Sequence, residues 1–441
     1  MFSQPLSDWL ERRNIHYAWV IVVLTFLTAL TSSAALGFPG ALLQPLSKEF
    51  GWDVEQISSA LALRFVLFGL MGPFAAILME RFGLRNVVVA ALALIATGLL
   101  LATHMREFWH LVALWGVMLG LGSGMTALVL SAVVSNRWFD RHRGLVIGVL
   151  TASSATGQLV FLPAGAWLIE HYGWSMAIMP IFASCALVAL AVFFLMRNRP
   201  SDIGRAPFGA DPAAHAAAIA AAAAGAPAPR MTFGTPFAVL RSVAGNRTFW
   251  VLFATFFICG LSTNGLIQTH FISLCGDAGL AAVPAASVLA MMGAFDLVGT
   301  ILSGWLSDRY DNRKLLFWYY ALRGLSLFWL PYSEFTLYGL SLFAMFYGLD
   351  WIATVPPTVK LVGTTFGKER AGMVFGWIFA GHQLGAAVAA YGAGRVRTLM
   401  LTYNPALFAA GAACLVAAAI VLTIRRQQAV APLAAAAKPV G

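Results

Sequence analysis

The chain has 441 residues, of which 60% are hydrophobic and 10% charged, with a formal net charge of +10. A water-soluble domain carries roughly 25% charged residues, so this composition excludes a soluble enzyme and indicates a polytopic membrane protein. The basic excess does not mark a nucleic-acid binder, because the Lys and Arg residues lie in short loops that alternate with long apolar runs.

Those runs are of membrane-crossing length, about 20 residues or more, so helices rather than a barrel are expected. Residues 1–16 are polar and basic. Spans 1 to 6 are expected near 17–43, 56–79, 86–103, 108–135, 144–169 and 173–196, the first broken near Gly37-Phe38-Pro39-Gly40. Residues 197–247 interrupt the pattern with Pro200, Pro207, Pro212, Pro227 and Pro229, six arginines and an alanine run from Ala213 to Ala224. That composition reads as a cytosolic linker. Spans 7 to 12 are expected near 249–272, 284–306, 315–332, 335–360, 370–394 and 405–424. The fold class is therefore an all-α polytopic membrane protein. Twelve transmembrane helices fall in two six-helix halves, 1–196 and 248–441, the second ending in a short cytosolic tail.

Orientation follows from charge. With the N-terminus in the cytosol, Lys48, Arg106, Arg395 and Arg397 lie outside, and Arg64, Arg323 and Lys360 lie within spans. That leaves 28 − 4 − 3 = 21 basic residues in the cytosol. Such a bias places both termini inside, and a bacterial inner (plasma) membrane is expected. Cys185, Cys259, Cys275 and Cys414 are scattered singly, without metal-ligand or redox spacing. There is no Gly-x-Ser-x-Gly elbow, no Gly-Lys-Ser/Thr phosphate loop and no His-Glu-x-x-His. Neither catalysis nor a cofactor is expected, and a pump with its own ATP site is disfavoured.

Two charged loops occur twice. Gly304-Trp305-Leu306-Ser307-Asp308-Arg309, with Arg313 and Lys314 close behind, matches the stretch from Ala76 through Glu80, Arg81 and Arg85, at an offset of 308 − 80 = 228. Phe366-Gly367-Lys368-Glu369-Arg370 matches Phe139-Asp140-Arg141-His142-Arg143 at 366 − 139 = 227. Two unrelated loops repeating at one spacing indicate a duplicated half. The Gly-x-Leu-Ser-Asp-Arg-x-x-x-Arg-Lys stretch resembles the signature loop of the major facilitator superfamily. The first copy differs at Ala76 and Glu80. Residues 136–144 and 48–52 resemble the monocarboxylate and oxalate/formate transporter group within it. The superfamily resemblance implies a gating role for Glu80, Arg81, Arg85, Asp308, Arg309 and Arg313, with Asp308 near the start of span 11.

Polar residues at bilayer depth are the functional candidates. Arg64 lies roughly 12 Å deep in span 2, at 1.5 Å per residue, with no carboxylate nearby in sequence. Its fork suits a carboxylate substrate, while snorkelling or backbone capping is the structural alternative. Asp296, Arg323 and Asp350 fall at similar depth in spans 8, 9 and 10. Either acid can pair with Arg323, and the one left without it can carry a proton; the resemblance to a superfamily whose tenth span typically lines the cavity favours Asp350 as carrier and Asp296 as the partner of Arg323 across the hairpin. Asn264 and Gln268 on span 7 share one helix face, and His382 and Gln383 sit mid-span 11; a wet, substrate-binding cavity or mutual packing accounts for either pair.

Monocarboxylate transporters carry Asp-x-x-x-Arg in span 8, where this chain has Asp296 and Thr300. Gly40 replaces their lysine after Phe-Pro, and of the cations that oxalate/formate antiporters use, only His382 has a counterpart. Arg64 would have to serve instead. The function expected is secondary active transport of a small organic solute, foremost an organic anion moved with protons. The partners are that solute, protons and the lipid bilayer. Export of amphipathic compounds by proton antiport is the alternative. A non-transporting sensor on the same scaffold is a more distant one, because linker and tail are short.

Overall fold

A computed structural model describes residues 3–126, 128–211 and 232–425. The alanine run Ala213–Ala224 lies outside the described residues. Eleven helices among those described are long and apolar enough to cross a membrane. In the numbering above, spans 1 to 6 are Ala18–Phe50, Val54–Arg81, Leu84–Ala102, Phe108–Trp138, Arg143–Tyr172 and Trp174–Leu195. Span 7 is Arg247–Asp277, span 8 Ala282–Arg309, span 10 Leu337–Phe366, span 11 Lys368–Met400 and span 12 Asn404–Val421. The twelfth crossing is span 9, Asn312–Trp329, whose 18 residues include Arg313, Lys314 and Arg323. Long apolar helices satisfy their own backbone groups, which lipid cannot do. Their ends carry ordinary caps. Asp53 and Gln56 form a capping box at span 2, and the side chains of Asn246, Asp311 and Thr336 cap spans 7, 9 and 10.

The packing repeats. Span 1 packs on span 5 and span 7 on span 11; span 2 on span 4 and span 8 on span 10; span 3 on span 6 and span 9 on span 12. Each contact recurs six spans later, as a duplicated half requires. The halves meet along two seams, span 2 against span 11 and span 5 against span 8. Glycines let backbones approach closely in the first seam, where Gly69 lies against Gln383 and Gly376 against Pro73.

Four spans depart from a regular α-helix. Span 1 tightens to a 3-10 turn over Phe38–Leu42. Spans 4 and 7 contain π-helical stretches, Val112–Leu119 and Leu261–Gln268. Span 10, expected to be continuous, is two helices, Leu337–Asp350 and Val355–Phe366. Pro356 and Pro357 lack the N–H groups that would reach Ile352 and Ala353 one turn back. Side chains take over there: Ser303 Oγ donates to the Ala353 carbonyl.

The two ends of the bundle differ. The end away from the N-terminus, here the far end, is tied across the halves. Glu55 Oε1 accepts from Tyr391 Oη at 2.7 Å and from Arg395 Nη1 at 3.2 Å, and Gln44 Nε2 donates to the Ser273 carbonyl at 3.3 Å. Gly40 sits so close to span 7 that a Cβ there would lie 2.6 Å from the Gln268 carbonyl oxygen. At the near end, a Cβ on Gly144, Gly148, Gly304, Gly363 or Gly372 would meet nothing within 4 Å. Residues 200–211 dock on the first half, where Arg205 pairs with Asp8 and Glu11 and the Phe208 backbone bonds to Trp138 and Asp140. Helix Thr235–Val243 docks on the second, with Trp377 Nε1 donating to the Pro236 carbonyl.

Candidate functional site

The break in span 10 gathers three buried charges, Asp296, Arg323 and Asp350. Leu337–Asp350 ends there with free carbonyls, and a helix C-terminus attracts a cation. Arg323 of span 9 supplies it. Its Nε donates to Asp350 Oδ2 at 2.7 Å, its Nη2 to the carbonyls of Asp350 and Trp351, and its Nη1 to Cys259 Sγ. The expected pairing of Arg323 with Asp296 is thus corrected: the arginine belongs to Asp350. The reason is the interrupted helix, which turns Asp350 and two unpaired carbonyls toward span 9 at one point.

Asp296 is also drawn to the break, but from span 8. Its Oδ1 accepts from the Ile352 amide at 2.9 Å and from Thr300 Oγ1 at 3.0 Å. The Ile352 amide is free because Trp351 N, tightened into a 3-10 turn, takes the Gly348 carbonyl instead. Asp296, Gln158, Met292, Trp351 and Ile352 line a small cavity between spans 5, 8 and 10. Gln158 comes from the first half and the other four from the second, so the cavity straddles the seam.

Arg64 is buried in span 2, and neither Nε nor Nη1 finds a hydrogen-bond partner. Span 4 closes against it, since a Cβ at Gly120 would lie 2.8 Å from the Arg64 carbonyl oxygen. A buried guanidinium with donors unmet is costly unless another group supplies acceptors. Gln383 and Gln268 are buried with Oε1 unbonded. Gln383 Nε2 lies 3.2 Å from His382 Nδ1, and the His382 ring stacks on Phe379. Gln268 and Gln158 both come close to the position of a Cβ on Gly37 in span 1. Asn264 is only half-buried, within the π-helical stretch that also carries Gln268.

The charged loops make their contacts inside their own halves or with the linker. Glu80 pairs with Arg137 and Arg199, and Asp308 Oδ1 accepts from Lys360 Nζ at 2.8 Å. Arg309 covers the Trp305 ring, and Arg313 binds Asp311 and the Ile424 carbonyl. The Arg85 amide donates to Asn198 Oδ1. Glu80 and Arg85 thus reach the first residues of the linker, Arg199 and Asn198, and Arg81 reaches its far part, over Phe233. The expected approach of Asp308 to span 11 is also corrected. Span 8 packs on span 5, span 11 packs on span 2, and Asp308 is taken by Lys360 of span 10. The break in span 10 and the Ile352 amide escaped sequence reasoning; Pro356-Pro357 was the signal for both.

Two packed seams, interrupted helices and buried charges at a break near mid-span define a secondary-transporter architecture. A family model described as Major Facilitator Superfamily matches residues 21–390. The chain belongs to that superfamily and is a transporter rather than an enzyme. It is 24% identical over 403 residues to a Bacillus subtilis protein described as an uncharacterized MFS-type transporter, YcxA, covering 87% of this chain and 89% of that one. It is 24% identical over 412 residues to monocarboxylate transporter 13 of Bos taurus, covering 92% and 89%. It is 25% identical over 343 residues to a gallate transporter of Pseudomonas putida, covering 73% of each.

Proposed function

We propose that the protein moves a small organic carboxylate together with protons, by alternating access, across a bacterial inner membrane. The observation that carries this reading is Arg64, a buried guanidinium with two nitrogens unmatched by any protein acceptor. A carboxylate is the ligand that fits such a fork in two places. Relatives named for monocarboxylates and for gallate handle anions of that kind. Gln268 and Gln383, with unbonded Oε1 atoms, are the polar contacts proposed beside it, and His382 and Asn264 border them.

The proton is assigned to Asp296, in place of Asp350. Asp350 is committed to Arg323, whereas Asp296 has no cationic partner in hydrogen-bond reach and lines the cavity at the seam. The near end, with both termini and the linker 197–247, is taken as cytosolic from the 21-to-4 distribution of basic residues. The conformation described is then inward-open, with Glu55, Tyr391 and Arg395 holding the outside shut.

Counterflow in proteoliposomes, with labelled carboxylates and amines at two pH values, tests the reading. Carboxylates should exchange and amines should not. Arg64→Gln should slow carboxylate exchange roughly tenfold or more, the worth of a hydrogen bond to a charged group. Asp296→Asn, which mimics the protonated acid, should keep exchange and lose accumulation driven by an imposed pH step. Accumulation surviving in Asp296→Asn would end the proton assignment. Exchange of amphipathic amines alone would favour export instead, a reading to which Met292 and Trp351 in the cavity wall give some support.

A further inference from the structure

We propose that Thr300 and the Ile352 amide are positioning groups that hold Asp296 Oδ1 as a permanent acceptor and leave Oδ2 as the atom that gains and loses the proton. This deepens the proton assignment above and rests on it. Both hydrogen bonds from the protein reach the same oxygen, at 3.0 Å from Thr300 Oγ1 and 2.9 Å from the Ile352 nitrogen. A carboxyl oxygen already accepting two donors is a poor place for a proton, because a third hydrogen would have to displace one of them. The proton is therefore directed to the other oxygen. The cavity beside Asp296 has a volume of about 20 Å³, room for one water. Its other polar wall is Gln158, on the opposite half of the molecule. Asp296 and Gln158 thus share one cavity from opposite halves, which move relative to each other when the molecule rocks.

The Ile352 amide ties the same carboxyl to the break in span 10. Ionised, Oδ1 accepts strongly and holds the two halves of span 10 against span 8. Protonated at Oδ2, the carboxyl is a weaker acceptor and the tie loosens. Thr300, one turn beyond Asp296 on span 8, supplies an uncharged donor. A neutral donor steadies the acid without locking it in the charged form. The charged groups facing Asp296 are Arg323 on span 9 and Asp350 on span 10, already bonded to each other; Gln158, the group lining the cavity from span 5, is neutral.

The test is the pH profile of substrate accumulation in proteoliposomes, with counterflow measured in parallel. Thr300→Val removes one donor to the ionised oxygen and so favours the protonated acid. The midpoint of the profile should move about one pH unit upward, the size of one hydrogen bond to a charged group. Counterflow should stay within twofold of wild type, and Thr300→Ser should restore the wild-type midpoint. An unmoved midpoint in Thr300→Val, alongside lost accumulation in Asp296→Asn, overturns the positioning role and leaves the carrier assignment standing. Accumulation retained in Asp296→Asn overturns the carrier itself.

Discussion

Arg323 brings five N–H donors and a charge it cannot shed, and the fold meets most of that demand with one aspartate, two carbonyls and a thiol. Removing the carboxylate leaves the guanidinium stranded, a loss of about 3–5 kcal/mol for a buried pair. Asp350→Asn should therefore lower the melting temperature of the detergent-solubilised protein and its yield in the membrane. Asp296→Asn should leave melting close to wild type, since its partners are an amide and a hydroxyl. A larger drop for Asp296→Asn than for Asp350→Asn would contradict the pairing described. All three charges were legible in the sequence as functional candidates, and so was Arg64. Which aspartate takes the arginine was not. Depth counted along a hairpin treats both acids alike, and only the interrupted helix distinguishes them. The orphaned nitrogens of Arg64 were likewise invisible, because the absence of a partner is a property of the packed bundle.

At the scale of elements, glycine and proline decide where helices break, and their signals in the sequence differ in strength. Gly37-Phe38-Pro39-Gly40 announces a break; Pro356-Pro357, embedded in a longer apolar run, does not. The π-helical stretches of spans 4 and 7 left no sequence trace, because eight residues are too few for hydrophobic periodicity to tell one helical geometry from another. The turn around Gly40 does particular work in closing the far end. A Cβ there meets the carbonyl oxygens of Gln268 and Thr269 at 2.6 and 2.9 Å, and backbone atoms cannot rotate aside. Gly40→Val should push spans 1 and 7 apart at that end and bias the protein toward the opposite conformation. A cysteine placed at Gln44 should then react faster with an impermeant maleimide applied from the far side, at least severalfold over the same cysteine with Gly40 intact. Equal rates would mean that span 1 yields locally and the halves stay closed.

For the whole molecule, twelve crossings and the duplicated halves were legible because each rests on many residues: long apolar runs in one case, two loops at matching offsets in the other. Which end stands open was not legible, since the contacts that close each end exist in only one conformation. Single cysteines near Arg230 and near Glu334 should label from opposite faces of the membrane; labelling from one face would refute the twelve-span topology. One last consequence attaches to span 9. An arginine at a helix centre opposes insertion by about 2.5–3.5 kcal/mol, and this short helix also begins with Arg313 and Lys314. Span 10, broken and carrying Asp350, has the lowest mean hydropathy of the eleven apolar spans, 1.2. Neither is a good passenger alone, and each holds the charge the other lacks. During synthesis the two must therefore enter the bilayer as one hairpin. A chain severed between Ser333 and Thr336 would strand Arg323 on one fragment and Asp350 on the other, with neither fragment at home in lipid.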